Sequence, residues 1–287
     1  MKLRKQSVYL AVIGLVIGLF SGWYYTDHYN RQGSGAGSAA PQPASGQMPP
    51  DHPQIPQISQ EQIGATTKNA QNNPSDFDAQ LGAARRLYQA NRFDEAAGFF
   101  QRAHQLRPDD YDTLVQLANT HFDLGLNEYQ QQNSDHATQH FLEAARWYEQ
   151  ALEKNPSDVN VRTDYGLTYY YRQPKDLNQA IRQYRRSLQT QPMHSQTLAN
   201  LTTALAEQGN LSEAQNTLAQ LEQIAAGTPL LAQTLYNFTQ ALMGQEKWSE
   251  AKTTLVKLEQ LVPGDPVIAQ LRQDIDAQRK GTPIQPH

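Results

Sequence analysis

The sequence predicts an all-α fold: an α-solenoid of about five helix hairpins with a C-terminal capping helix, preceded by one transmembrane helix and a disordered linker. Three observations predict it. A motif of Ala, a bulky side chain four residues on and a small or aliphatic residue three further recurs five times. In four copies a Pro follows the last motif position by five residues. Ahead of the repeats, residues 8–25 form an apolar run without a charge, behind a basic start.

In chain order the start comes first. Residues 1–7 carry Lys2, Arg4 and Lys5, and the run VYLAVIGLVIGLFSGWYY follows. At about 1.5 Å per residue it is long enough to cross ~30 Å of hydrocarbon. The positive-inside rule puts the N-terminus in the cytoplasm and everything after residue 26 on the far side, and Trp23, Tyr24 and Tyr25 suit an interfacial belt. A cleaved signal peptide is the rival reading. The run is longer than a usual signal core, and the best small-residue site, Ser38-Ala39-Ala40, lies far downstream and precedes Pro41. The sequons at Asn200, Asn210 and Asn237 fall in or beside expected repeat helices, where a glycan would clash with packing. The expected location is therefore a bacterial inner membrane, crossed once, with the C-terminal domain in the periplasm.

Residues 26–75 read as a linker. Its stretch 32–58 is Gly, Ser, Ala, Pro and Gln with almost no charge, so it cannot bury enough apolar area to fold. Met48-Pro49-Pro50-Asp51-His52-Pro53 reads as a stiff polyproline-like piece. Residues 59–71 form a possible short helix, opened by Ser59 and Gln62 as a capping box.

The repeats occupy 76–263, divided at about 77–110, 111–158, 159–194, 195–229 and 230–263. The motif copies are Ala96/Phe100/Ala103, Ala144/Tyr148/Ala151, Ala180/Tyr184/Ser187, Ala214/Leu218/Leu221 and Ala251/Leu255/Leu258, with Pro108, Pro156, Pro192 and Pro263 behind four of them. Spacings of four and seven keep three side chains on one helical stripe. Small residues at its ends admit a neighbouring helix, the ring between fills the gap, and the Pro stops the helix. Asp94, Asn178, Ser212 and Ser249 stand two residues before the motif Ala as expected caps. A partner helix precedes each copy, with stripes such as Leu114/Leu117/His121 and Leu235/Phe238/Leu242. One hairpin cannot bury its apolar face alone, but a stack can. Residues 264–280 read as an amphipathic capping helix with Val267, Ile268, Leu271 and Ile275 inward, and 281–287 as a disordered tail.

The second repeat is too long. From Tyr111 to Pro156 it spans 45 residues where the other copies need about 31. The surplus of 14 divides as seven per helix, and seven residues are close to two turns, so both stripes stay in phase. The expectation is a hairpin protruding by about 10 Å, capped at Ser134 or Asp135, with His136, His140 and Trp147 on one face.

The period, the Y-G-x-x-Y of Tyr165–Tyr169 and the A-x3-Y/F-x2-A-x4-P endings resemble the tetratricopeptide repeat family. The departures are specific. The family's Trp position holds Gln80, Leu114, Arg162, Leu198 and Leu235, and its small Gly is Ala84, Ala118, Gly166, Thr202 and Thr239. The fourth copy has Ala226 in place of Pro. The resemblance implies that the first helix of each hairpin lines a concave groove, here through Arg85, Tyr88, Asn119, Phe122, Asp164, Tyr170, Tyr171, Asn200, Thr203, Tyr236, Asn237 and Gln240. Family members that grip a C-terminal carboxylate need Lys or Arg where this chain has Leu81, Val115, Gln116, Thr163 and Asp164. An amide- and ring-rich lining suits an extended or helical peptide of a protein partner. The competing use for rings such as Tyr169–Tyr171 is packing between repeats.

Composition excludes other classes. A formal charge of −4 and a pI near 6.1 leave no basic stripe for nucleic acid. With no Cys there is no disulfide, thiolate metal site or Cys nucleophile. No phosphate loop, nucleophile elbow or H-E-x-x-H motif occurs, and Gly33–Gly37 lacks a preceding strand. His136 and His140, spaced i and i+4, could pinch a metal ion, but only Glu143 is at hand as a third ligand, so they read as a solvent or partner contact. The expectation is a non-enzyme with no catalytic residue, cofactor or metal. The layout, with the N-V-R-T-D-Y-G of Asn160–Gly166, also resembles the membrane-anchored repeat proteins of c-type cytochrome maturation, which present unfolded apocytochrome to the haem-ligation machinery. Two alternatives stand beside that: a general cell-envelope assembly scaffold, and a secreted soluble adaptor released by signal cleavage.

Overall fold

The computed structural model describes residues 59–278. The basic start, the expected span at 8–25, most of the linker and the tail lie outside the described residues. Among the described residues no helix is long and apolar enough to cross a membrane.

Twelve α-helices and no strand make up the described part. They are α1 (Gln60–Asn72), α2 (Phe77–Gln89), α3 (Phe93–Leu106), α4 (Tyr111–Gln130), α5 (Ser134–Lys154), α6 (Val159–Tyr171), α7 (Leu177–Thr190), α8 (Ser195–Gln208), α9 (Leu211–Ile224), α10 (Pro229–Gly244), α11 (Trp248–Leu261) and α12 (Pro266–Asp276). Even-numbered helices α2 to α10 open the hairpins and odd-numbered α3 to α11 close them. The motif residues are the core: Ala96, Phe100, Ala103, Ala144, Ala151, Tyr184, Leu221 and Leu255 are all fully buried.

Opening helices form the inner layer. α6 packs on α8 and α8 on α10, whereas no comparable contact joins successive closing helices. The fourth joint differs from the rest. α10 packs chiefly on α8 rather than on α9, and the Gln245 amide reaches back 2.8 Å to the Ala206 carbonyl. This is the joint where Ala226 replaces Pro.

α1 opens as expected, with Ser59 and Gln62 exchanging side-chain and backbone bonds at 3.1 Å. It is held by a residue outside the usual pattern. Gln80, fully buried where the family has Trp, donates to the Ala70 carbonyl at 2.6 Å and the Asn73 carbonyl at 3.1 Å, and accepts from Arg102 at 3.0 Å.

The extended hairpin is present: α4 has 20 residues and α5 has 21, against 13 or 14 in α6 to α9. The extra heptad duplicates the motif. Ala137, Phe141, Ala144, Tyr148 and Ala151 run down one buried stripe of α5. Gly125 is therefore a contact rather than a break, because a methyl group there would meet Phe141 Cε1 at 2.7 Å. The same arrangement joins Gly166 to the Tyr184 ring.

The expected caps of the closing helices are corrected. Asp94, Asn178, Ser212 and Ser249 fall inside the first turns, because α3, α7, α9 and α11 begin at Phe93, Leu177, Leu211 and Trp248. Likewise α5 is preceded by Asn133, not Ser134 or Asp135, and Asn133 makes no side-chain cap bond. Four of these helices follow one tight turn with a left-handed residue at Asn91, Gln132, Gly209 or Glu246. The next N–H bonds back five residues at 2.9 Å, from Arg92 to Leu87, Asn133 to Glu128, Asn210 to Leu205 and Lys247 to Leu242. That Schellman closure orients the following helix without a side-chain cap. Opening helices do take caps, from Asp76, Asp110, Asp158, His194 and Thr228.

Candidate functional site

The inner layer presents the faces of α2, α4, α6, α8 and α10. On α8, the Gln196 side-chain amide donates to Asn200 Oδ1 at 3.0 Å. On α10, Gln233 does the same to Asn237 Oδ1 at 2.9 Å. The two pairs stand 37 residues apart, one repeat. Each engages the Asn oxygen and turns the Asn nitrogen away. For Asn200 that nitrogen is buried and has no hydrogen-bond partner. A buried donor without an acceptor costs about 1–3 kcal/mol, so a rearrangement that brings an acceptor to this nitrogen is favoured.

The other expected groove residues divide into two groups. Some already bond within the array. Tyr88 donates to Asp123 at 2.5 Å, Tyr148 occupies the Asn119 oxygen at 2.8 Å, and Tyr170 donates to Glu207. Arg85 faces Asp112 at 3.8 Å, Gln240 donates to Tyr236 at 3.0 Å, and Thr203 bonds its own helix at the Ala199 carbonyl. Others pack as rings. Tyr171 stacks on Phe141 at 5.8 Å and meets Phe122, Tyr129 and Tyr170 edge-on at 5.2–5.9 Å. Packing between repeats is thus a real use of these tyrosines.

Asp123, Asp164 and Glu207 lie on the inner helices, with Lys175 at 2.9 Å from Glu207 and 4.2 Å over the Tyr170 ring. Outer α7 carries Arg182, Arg185 and Arg186 exposed, and no acid. Burial pushes the Asp123 carboxyl up to about 6, against the Tyr88 hydrogen bond that pulls it down. Burial also holds Tyr171 up to about 12, and Tyr170 and Tyr184 well above the ordinary tyrosine value, with Glu207 adding to each. The Tyr184 hydroxyl is fully buried and unpartnered.

The histidines pair differently from expectation. His140 faces His121 of α4, with Nδ1 to Nδ1 at 3.4 Å, while His136 is exposed near Glu128 at 3.8 Å. Trp147 is not on the protrusion. It shares the stripe of His140 but lies two turns further along α5, where it meets His104 of α3 edge-on at 4.9 Å and packs on two core clusters. One helical face looks into the preceding repeat at its C-terminal end and past it at its N-terminal end. Sequence reasoning missed Gln196 and Gln233, whose signal was a Gln–Asn pair at i, i+4 returning one repeat later. It also missed Tyr129 as a member of the ring cluster.

Two models of the tetratricopeptide repeat family match the chain, at residues 56–111 and 171–235. Over those two stretches the chain is tetratricopeptide repeat sequence. Solved tetratricopeptide repeat structures resemble it over most of its length. One is YrrB, described as a TPR protein with an unusual peptide-binding site, at 18% identity and a TM-score of 0.53, covering 74% of this chain and 99% of that one. Another is the MamA protein, at 13% identity and a TM-score of 0.53, covering 66% and 92% respectively. At these identities the likeness is one of fold. No curated protein matches the sequence significantly.

Proposed function

We propose that this tetratricopeptide repeat protein is a membrane-anchored periplasmic scaffold holding a peptide segment of a partner protein along its inner face. The doubled amide pair carries the reading. Gln196 with Asn200 and Gln233 with Asn237 place side-chain donors at the same point of consecutive repeats, and the Asn200 donor has no acceptor. Extended peptide presents a carbonyl on each face every second residue, which suits donors fixed at intervals. The description of YrrB gives the fold a precedent for peptide binding.

The uncharged run 8–25 behind Lys2, Arg4 and Lys5 supports the anchor, and the nearly uncharged stretch 32–58 after it supports reach from the bilayer. The finer reading is presentation of apocytochrome during c-type cytochrome maturation, supported by the layout of span, tether and repeats.

Capture tests the groove. The full chain, cross-linked in its host and purified from membranes, is compared with Asn200→Ala/Asn237→Ala. The expected result is a partner recovered with the wild type and reduced at least about tenfold with the double variant, two lost hydrogen bonds costing on the order of 1 kcal/mol each. Equal recovery would remove the groove assignment. A strain lacking the chain then decides the maturation role: normal c-type cytochromes on a haem-stained gel would exclude it.

A further inference from the structure

The C-terminal ends of three consecutive opening helices carry one cluster: Tyr129 of α4, Tyr170 and Tyr171 of α6, and Glu207 of α8. Tyr184 of α7 joins it from the outer layer. Burial first, and Glu207 with it, raises all four phenols, so each hydroxyl stays protonated within range of that carboxylate. The Glu207 side chain itself is 33% exposed, so the cluster opens to solvent at its acid.

Two observations define the ligand that fits. The Lys175 ammonium, from the turn between α6 and α7, stands 2.9 Å from Glu207 Oε2 and 4.2 Å over the Tyr170 ring. The space between carboxylate and ring face thus has the dimensions of a cation. The Tyr184 hydroxyl is fully buried, has no hydrogen-bond partner and lies within electrostatic reach of Glu207 and Asp164. Its oxygen is an acceptor without a donor. Helix C-termini carry partial negative charge, so the three ends add to the attraction for a cation.

We propose that Glu207, the Tyr170 face and the Tyr184 oxygen form a seat for an arginine side chain of the bound peptide, which displaces Lys175. The seat rests on the peptide-binding reading of the inner face and names one side chain the peptide carries. Guanidinium is planar and less strongly hydrated than ammonium, stacks on aromatic rings, and offers five donors for the carboxylate and the phenol. Lys175 holds its place weakly, because both side chains of its pair are partly exposed and such pairs contribute little. It stands outside both helices, so the turn can release it without unwinding either.

Saturation-transfer NMR of the peptide acetyl-Ala-Ala-Arg-Ala-Ala-amide with the full chain in detergent micelles tests the seat. The control peptide carries citrulline, the neutral shape analogue, in place of arginine. The expected dissociation constant is about 1 mM, weakened at least about tenfold by citrulline or by Glu207→Gln and tightened about threefold by Lys175→Ala. Circular dichroism checks each variant for folding, and if Glu207→Gln unfolds, the citrulline comparison on the wild type decides. No binding of the arginine peptide near 10 mM, equal binding of both peptides, no loss in Glu207→Gln, or weaker binding in Lys175→Ala would each overturn the seat. Capture from the host judges the groove separately. A partner lost with Asn200→Ala/Asn237→Ala but fully recovered with Glu207→Gln would keep the groove and remove the seat.

Discussion

The Tyr88 hydroxyl on α2 donates to the Asp123 carboxylate on α4, and the contact returns two repeats later, where Tyr170 of α6 donates to Glu207 of α8. In both, a ring near the end of one opening helix bonds an acid of the next, 35 and 37 residues on. The contact ties consecutive repeats along the inner layer. It also draws the Tyr88 and Tyr170 hydroxyls out of the pool of groups open to a ligand.

Asp123 makes this tie sensitive to pH. Its folded value near 6 lies above the ordinary carboxylate value, because burial disfavours the charge. Between roughly pH 4 and 6 the folded chain holds more protons at this site than the unfolded one. Its contribution is therefore full at the acid end and lost as pH rises through 6. The Tyr88 bond offsets part of that loss. Urea unfolding of Tyr88→Phe should show a decrease of about 1–3 kcal/mol at pH 7 and a smaller one at pH 4. An equal decrease at both values would mean the hydroxyl does not bond the ionised carboxylate.

Gly125 lies under the Phe141 ring, which is itself wedged against Phe122 and Tyr171. In an open helix Gly→Ala would stabilise by up to about 1 kcal/mol. Here the methyl has no room, and overpacking costs about 1–3 kcal/mol. Thermal unfolding of Gly125→Ala should show a net loss, whereas Gly98→Ala, with nothing within 4 Å, should gain. A gain at both positions would remove the close approach of α4 and α5.

Gln80 holds α1 through two carbonyls. Gln80→Leu keeps the bulk and strands those acceptors, at a cost of about 1–3 kcal/mol. Amide exchange across 60–72 should accelerate while exchange in α8 to α11 stays as in the wild type, as expected of a stack with nearest-neighbour coupling. Unchanged exchange in α1 would assign its docking to Ile63 and Ala70 alone.

The repeat period was legible because each joint needs a small Ala where helices touch and a bulky ring or Leu four residues on where they diverge. The doubled motif of α5 was legible for the same reason, since seven residues return a stripe to its own face. Helix starts were not. Gln132 and Glu246 take left-handed turns that these residue types do not announce. The buried Gln80 read as degeneracy because its partners are backbone carbonyls of another helix, invisible in a side-chain pattern. His121 and His140 meet across a hairpin, so a search for i, i+4 spacing chose His136 instead. The Gln–Asn pairs lay in plain view, but their meaning depends on which Asn atom is left free.

The central claim is that a partner lies along the inner layer, and site-specific photo-cross-linking in the host tests it most directly. A photoreactive residue at Thr203 on α8 should give a discrete partner adduct that disappears in the Asn200→Ala/Asn237→Ala background. The same probe at Val256, exposed on outer helix α11, should give none. An adduct from Val256 with none from Thr203 would contradict the account.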